Sequence, residues 1–404
     1  MNFDFTAEQY ELKQSLRRFM QQQSPLTVAR QVLEQQSSHS SELWQGLTEL
    51  GVTGIMLPSS AGGYGLGAAE LCIAAEEAGR QLAPAPLFST CYLATQALLL
   101  GSDAQQQQHW LGKINAGSIA TLAAPLDCTL DHHPTQCEDA LTNLPVFDGH
   151  SLSGTCSLVT DAAAAEFVLV LAQKAQGLHD SQGNSQNDKQ PLIWLLVPNI
   201  AANHVSISTQ ETLNPVKPCG QLTFNASHAE PLNGSLAQAP LTLLQRLRYR
   251  AAILTAFEQL GSADAVTEMA VEYAKTRRTF GRAIGSYQGI KHKLTDMYTL
   301  NQMARVHCYF GAWALELDSR SGEQSAAELA IAAASARVAT TRALNFAAQE
   351  AIQVHGGMGY TWELDCQLFY RTARHQALIL GTEDDWSAII ADQLELQMAP
   401  TSAA

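Results

Sequence analysis

The sequence predicts a mainly α chain with a central β domain: an N-terminal helical domain, an antiparallel β domain and a C-terminal four-helix bundle. Three patterns carry the prediction. Apolar residues recur at helical three-to-four spacing from residue 5 to about 118, short β-prone runs fill 119–235, and helical periodicity returns from 236 onward. At 404 residues, 46% of them hydrophobic and 15% charged, the chain is long enough for two or three domains with substantial cores.

In the first domain (1–118), EQYELKQSLRRFMQQ, SELWQGLTELG and AAELCIAAEEAGRQL each place apolar residues on one helical face. Between the last two, LPSSAGGYGLG (57–67) is too glycine-rich for a helix and reads as a loop. In the β domain (119–235), HSLSGTCSLVT, EFVLVLAQ, LIWLLVPN and GQLTFNAS have strand character, and the polar, low-complexity stretch 173–192 reads as an exposed loop. The last domain (236–404) holds long alanine-rich helical segments whose apolar stripes are wide enough to bury on more than one side, as in a bundle.

Charge and cysteine usage exclude several classes. A formal net charge of −14 repels a phosphate backbone, so nucleic acid is not an expected partner. The chain shows neither a run of about 18 apolar residues nor a signal-like start, which predicts a soluble cytoplasmic protein with no membrane partner. The eight cysteines (Cys72, Cys91, Cys128, Cys137, Cys156, Cys219, Cys308 and Cys366) form no CxxC pair and are expected as buried free thiols, not disulfides or metal ligands.

Two segments could carry chemistry. In RRTFGRAIGSYQGIKHK (277–293) a helix ends at two arginines, an aromatic follows, and a glycine-bearing turn leads through Ser286 into a helix that carries Gln288. In QVHGGMGYTWE (353–363) a helix ends in a glycine pair, with a third glycine two residues later. Arg277 and the loop amides could hold a diphosphate and Phe280 could stack on a base. The plainer alternative is that Gly356, Gly357 and Gly359 supply positive φ angles while Arg277 and Arg278 stabilise a helix C-terminus. The acids of LILGTEDDW (378–386) pose a similar choice, between a catalytic or metal-binding cluster and the capped first turn of a helix, with Thr382 as N-cap and Asp385 three residues on.

Taken together, these segments resemble the acyl-CoA dehydrogenases. The resemblance spans essentially the whole chain, with ELWQGLTELGVTGIMLPSSAGGYGLG, EEAGRQLAPAPL and LSGTCSLVTDAAAAEFVLVLA as supporting stretches. It implies an antiparallel β barrel as the central domain, flanked by the helical domain and the four-helix bundle. It also implies FAD bound at a subunit interface. Arg277 and Phe280 match the residues that meet the FAD diphosphate and adenine, with Gln288 close by. Gln353, Gly356 and Gly357 match residues contributed by the neighbouring subunit, which implies a homodimer, a tetramer or a hetero-oligomer with a related subunit. Leu158, Val159 and Thr160 match the strand beside the flavin ring, where the family's aromatic is replaced by Leu158. Thr382 matches a residue near the flavin. An acyl-CoA thioester is the implied substrate, and an electron-transfer flavoprotein or similar protein the implied acceptor.

The same resemblance exposes a gap. Oxidising a thioester to its α,β-enoyl form removes an α-proton as well as a hydride, so the protein must supply a base. In many members the base is a glutamate 27 residues after the glutamine of QxxGGxG; counting 27 from Gln353 reaches Leu380, and Gly381-Thr382 follows as it should. In others it lies ten residues before a glycine matching Gly261, a position held here by Ala251. Neither residue can take a proton. Glu258, two turns beyond Ala251 in the apolar ILTAFEQLG, is the candidate substitute, set against a role in pairing with an arginine from a neighbouring helix. His375, Glu383 and Asp384 are weaker candidates. The family's substrate loop is also replaced, by AAPLDCTLDHHPTQCED.

Three readings remain. The first is an FAD-dependent acyl-CoA dehydrogenase of the bacterial branch acting on bulky or steroid-derived thioesters, in which some assemblies pair a base-bearing subunit with a baseless one. The second is a non-catalytic flavin-binding or scaffold subunit. The third is a flavin oxidase on a non-thioester substrate.

Overall fold

The structure, a computed structural model, describes residues 5–35, 37–127, 139–175, 191–214, 216–321 and 326–398. Helices α1 (Ala7–Gln23), α2 (Leu26–Gln35), α3 (Ser41–Glu49), α4 (Ala68–Arg80), α5 (Thr95–Gly101) and α6 (Ala104–Asn115) open the chain, with a π-helical stretch, Phe88–Ala94, leading into α5. Strands β1 (Ala120–Ala123), β2 (Val146–Phe147), β3 (Ser151–Thr160), β4 (Phe167–Lys174), β5 (Leu192–Val197), β6 (Val205–Gln210), β7 (Cys219–His228) and β8 (Glu230–Pro231) follow. Then come α7 (Pro240–Thr276), a small hairpin of β9 (Arg278–Thr279) and β10 (Arg282–Ala283), and helices α8 (Gln288–Ser321), α9 (Ala326–His355), α10 (Cys366–Gln376) and α11 (Glu383–Met398). The order is helices, sheet, helices, as the periodicity predicts.

Packing groups the chain into two compact units, one made of Met1–Leu33, Gly67–Ala83 and Ala252–Ala404, the other of Glu34–Leu66 and Pro84–Ala251. In the second unit the sheet runs β6-β7-β3-β2-β4-β5-β8, with β1 added on β4. Most neighbours are antiparallel, as expected, but β1 and β2 both run parallel to β4. The run FVLVLAQ of β4, an interior strand of the sheet, is buried along its length, as a strand covered on both faces requires. Its Val168 and Val170 pack with Leu152, Leu195, Leu222 and Phe224 in the sheet's core.

The first unit is built from helices that approach closely. A Cβ on Gly79 would overlap the backbone carbonyl of Glu258, and one on Gly261 would overlap that of Glu76. Glycine on each of α4 and α7 is therefore what lets the two backbones touch. Beside this crossing, buried Glu76 receives Lys13 at 2.6 Å and Arg305 at 2.9 Å. Burial pushes the Glu76 carboxyl up, but these two cations outweigh it and hold it below the usual carboxylate range. Asp264, also paired with Arg305, is moved the other way, since desolvation dominates there. A cavity of about 1000 Å³ opens over this network, lined among others by Lys13, Arg17, Glu76, Asp264 and Arg305, and by none of the residues singled out in the sequence as site candidates.

Cys72, Cys91, Cys156, Cys219, Cys308 and Cys366 are free thiols, while Cys128 and Cys137 lie outside the described residues. The same holds for 176–190 of the low-complexity stretch and for 128–138 of the replaced substrate loop. Among the described residues no helix is long and apolar enough to cross a membrane.

Candidate active site

The stretch RTFGRA, which the sequence presents only as a glycine-bearing turn, is a two-stranded hairpin pairing Thr279 with Arg282 and Arg278 with Ala283. Its loop is the pair Phe280-Gly281, with φ of 49° and 83°. Two successive positive φ angles are those of a type I′ turn, which normally calls for Asn-Gly, and a phenylalanine there costs ~1–2 kcal/mol of backbone strain. Its ring is 96% exposed, so burial within the chain does not offset that cost.

The hairpin itself is firmly held. The Ile284 N–H donates to the Arg277 carbonyl at 2.8 Å, the Tyr287 hydroxyl donates to the Thr279 carbonyl at 3.1 Å, and Arg282 lies 4.0 Å over the Tyr287 ring. Arg277 is exposed just after α7, Phe280 stands in the hairpin loop, and Gln288, also exposed, begins α8.

Gln353 is exposed in the last turn of α9, which ends at His355, and Gly356 continues with φ of 61°. The three glycines have different reasons to be there. Gly356 supplies the left-handed residue that closes the helix. Gly359 permits a close approach, since a Cβ would come within 2.5 Å of the Ile352 carbonyl oxygen. Gly357 has neither a positive φ nor any atom within 4 Å of a Cβ position. None of the described residues requires a glycine at 357.

A further contact links the two segments. Tyr273, one turn before Arg277, lies with its ring 4.2 Å from that of buried His355, and the His355 ring bonds the Ala351 carbonyl through Nδ1 at 2.7 Å. An aromatic one turn before the arginines and a histidine before the glycines are the signal that could have found it.

In the sheet unit, β3 is irregular between Cys156 and Val159. Leu158 has φ of 56° and is 67% exposed, and its N–H donates to Gln210 Oε1 at 2.7 Å. Val159 is buried, while Thr160 accepts a 2.6 Å hydrogen bond on its carbonyl from the Thr121 hydroxyl.

Both base positions are apolar and enclosed: Ala251 is fully buried, and Leu380 is 4% exposed with φ of 64°. Glu258 is 7% exposed and accepts a hydrogen bond from Gln376 Nε2 at 2.9 Å. His375 accepts on its carbonyl from the Leu378 and Ile379 N–H groups at the end of α10. Thr382 and Asp385 form the expected cap. The Thr382 N–H and hydroxyl both donate to Asp385 Oδ2 at 2.7 Å, and the Asp385 N–H donates back to Thr382 Oγ1 at 3.3 Å. Glu383 pairs with Arg342 at 2.7 Å, and Asp384 is exposed. The acids of LILGTEDDW are thus the first turn of α11, complementing its dipole.

The acyl-CoA dehydrogenase N-terminal domain family matches residues 6–118, and the acyl-CoA dehydrogenase C-terminal domain family matches 243–395. The chain belongs to the acyl-CoA dehydrogenase family. It is similar to acyl-CoA dehydrogenase IpdE2 of Mycobacterium tuberculosis, 28% identical over 374 residues that cover 92% of this chain and 93% of that protein. Among solved structures it resembles the ChsE4-ChsE5 complex of Mycobacterium tuberculosis, with a TM-score of 0.80, 23% identity and coverage of 99% and 100%. It also resembles a variant of the Tcur3481-Tcur3483 steroid ACAD, with a TM-score of 0.77, 25% identity and coverage of 96% and 98%. Acyl-CoA dehydrogenases are FAD-dependent oxidoreductases acting on CH–CH bonds, and FAD is the cofactor of this chain. The residues present fit it: the strained, outward-facing Phe280, the exposed Arg277 beside it, and the open backbone at Gly357.

Proposed function

We propose that this chain is the base-lacking subunit of a hetero-oligomeric, FAD-dependent acyl-CoA dehydrogenase acting on a bulky, steroid-derived thioester. One observation carries the proposal: a leucine and an alanine, both enclosed, occupy the two positions where the family places its proton acceptor. Removal of a positioned base typically costs a factor of ~10²–10⁴ in rate. The names of the relatives support the rest, since one neighbour is a complex of two different chains and another is called a steroid ACAD.

The assigned roles follow from the family resemblance, and the exposure of Arg277, Phe280 and Gln353 supports them. Arg277 would meet the diphosphate and Phe280 the adenine of one FAD, with Gln288 beside them. Gln353, Gly356 and Gly357 would reach the FAD held mainly by the adjoining subunit. Thr160 and Thr382 would lie near the flavin, with Leu158 replacing the aromatic that packs against it. Bound FAD supplies the hydride acceptor for the β-carbon, and the α-proton is taken by the partner subunit's base in a site of its own. Glu258 is assigned as an anchor for α10 through Gln376, and not as the base.

The test is to purify the chain alone and with a related subunit, saturate both with FAD, and measure enoyl-CoA formation. The expected result is turnover only in the mixed assembly, with Glu258→Gln leaving that turnover within about two-fold. Robust turnover by the isolated chain would overturn the proposal, and its abolition by Glu258→Gln would make Glu258 the base.

A further inference from the structure

The turn that carries position 380 is gripped from beneath by a buried arginine. Arg337, in the middle of the alanine-rich α9, is 1% exposed. A guanidinium so placed is costly unless its donors are met, and the acceptors it meets are informative. One terminal nitrogen donates to Gln259 Oε1 at 2.6 Å, and the other donates to the backbone carbonyls of Gln376 at 2.7 Å and Ile379 at 3.0 Å. Gln259 is braced in turn by the Thr340 hydroxyl at 2.8 Å, and the Gln376 side chain is tied to Glu258 on α7. The carbonyls of the last α10 residue and of the residue before Leu380 are therefore fastened to α7 and α9 by one fork-shaped group.

The residue after Ile379 is strained. Leu380 and Gly381 have φ of 64° and 103°, so the chain passes through two left-handed residues, the first of which is a leucine. Beyond them Thr382 is fixed by its reciprocal cap with Asp385. The segment 377–382 is thus held at one end by Arg337 and at the other by the cap, with the strained Leu380 between.

We infer that Arg337 is a positioning residue that holds the left-handed turn at Leu380-Gly381 and so sets where residue 380 and Thr382 stand toward the flavin. The device persists although residue 380 is not a base. The assignment of position 380 rests on the function proposed above; the grip on the turn is a property of this chain alone. Lysine at 337 would keep the charge but is a point donor, unable to serve the Gln376 and Ile379 carbonyls and Gln259 together in the same geometry.

The test compares FAD-saturated wild type with Arg337→Lys, Leu380→Gly, their double mutant, and Leu329→Ala as a control that removes a buried side chain elsewhere on α9. Amide hydrogen exchange is read on the peptide spanning 377–386, alongside the flavin absorption envelope. In Arg337→Lys, exchange in that peptide should rise about ten-fold or more and the flavin bands should shift. Leu329→Ala should lower the melting temperature while leaving both signals as in wild type. Adding Arg337→Lys to Leu380→Gly should raise exchange much less than it does in wild type, because glycine adopts the left-handed backbone without help.

Unchanged exchange over 377–386 in Arg337→Lys, or an equal rise in Leu329→Ala, would overturn the inference. Should Arg337→Lys not fold, Gln259→Leu removes one acceptor of Arg337 together with the 3.5 Å bond from Gln259 Nε2 to the Gln376 carbonyl, leaves residues 377–382 unaltered, and is held to the same comparison with Leu329→Ala. Turnover by the isolated wild-type chain would overturn the proposed function and leave the exchange result standing, so the two failures are distinguishable.

Discussion

Phe280 offers a perturbation whose effects on stability and on cofactor binding should have opposite signs. Its φ of 49° puts a bulky residue in a conformation that costs it ~1–2 kcal/mol, and its ring is 96% exposed, so the chain recovers nothing by burying it. Phe280→Asn creates Asn-Gly, the preferred pair for this turn, and should stabilise the hairpin by ~0.5–1 kcal/mol. The same change removes a ring that would stack on the adenine, an interaction worth ~1–3 kcal/mol per base, which corresponds to roughly 5- to 150-fold weaker binding. The assay is a pair of measurements on one variant: thermal melting of the FAD-free protein, and FAD titration of the assembled oligomer followed by quenching of flavin fluorescence. The reasoning is refuted if Phe280→Asn melts lower than wild type without FAD, which would mean the ring packs within the chain, or if FAD affinity stays within two-fold.

Three other perturbations test the framework around the site. Gly261→Ala should destabilise the first unit by ~1–3 kcal/mol or more, because its Cβ would overlap a backbone carbonyl of Glu76 that cannot swing aside; a melting temperature within a degree of wild type would contradict the close crossing of α4 and α7. Asp148 accepts from the N–H groups of Ser151 and His150 and from the Ser151 hydroxyl, which hold its carboxyl down at about 2. A depressed folded value means its contribution is complete above the ordinary aspartate range and is lost as pH falls toward about 2, so the acid-induced drop in melting temperature should be shallower in Asp148→Asn than in wild type. Leu380→Glu places a carboxyl at the position where the family resemblance puts the base, and on the proposed function should give the FAD-loaded isolated chain measurable enoyl-CoA formation where wild type has none.

The sequence exposes elements that are long or simple and hides those that are short or shared. The strands β3, β4, β5 and β7 were legible from their β-branched and aromatic content, and the α11 start from Thr382 and the acids after it. The β9–β10 hairpin was not, because two residues per strand are fewer than one full alternation, and Phe-Gly is not a residue pair that announces a I′ turn. β6 was available: Val205, Ile207 and Thr209 alternate with Ser206, Ser208 and Gln210, although as an end strand it is largely exposed. The Arg337 network could not be read from periodicity at all, since its members come from α7, α9 and α10 and meet only in the packed unit.

Backbone strain sorts the candidate site residues without reference to any relative. Among the described residues four large apolar side chains stand on left-handed backbones: Leu82, Leu158, Phe280 and Leu380. Each incurs a similar conformational cost, so the question is what offsets it. Leu82 and Leu380 are buried, and burying a leucine side chain contributes ~1.5–3 kcal/mol, enough to carry the strain within the chain. Leu158 and Phe280 are exposed and have no such return. They stand on two separate elements, a bulged strand and a hairpin, and are the two positions that the resemblance places at the flavin ring and the adenine. The exposed pair's strain is not offset within the chain, which agrees with the proposed roles of these two positions, whereas Leu380 is explained by the chain itself. Burial of Leu380 thus agrees with the proposed assignment of the base to a second subunit.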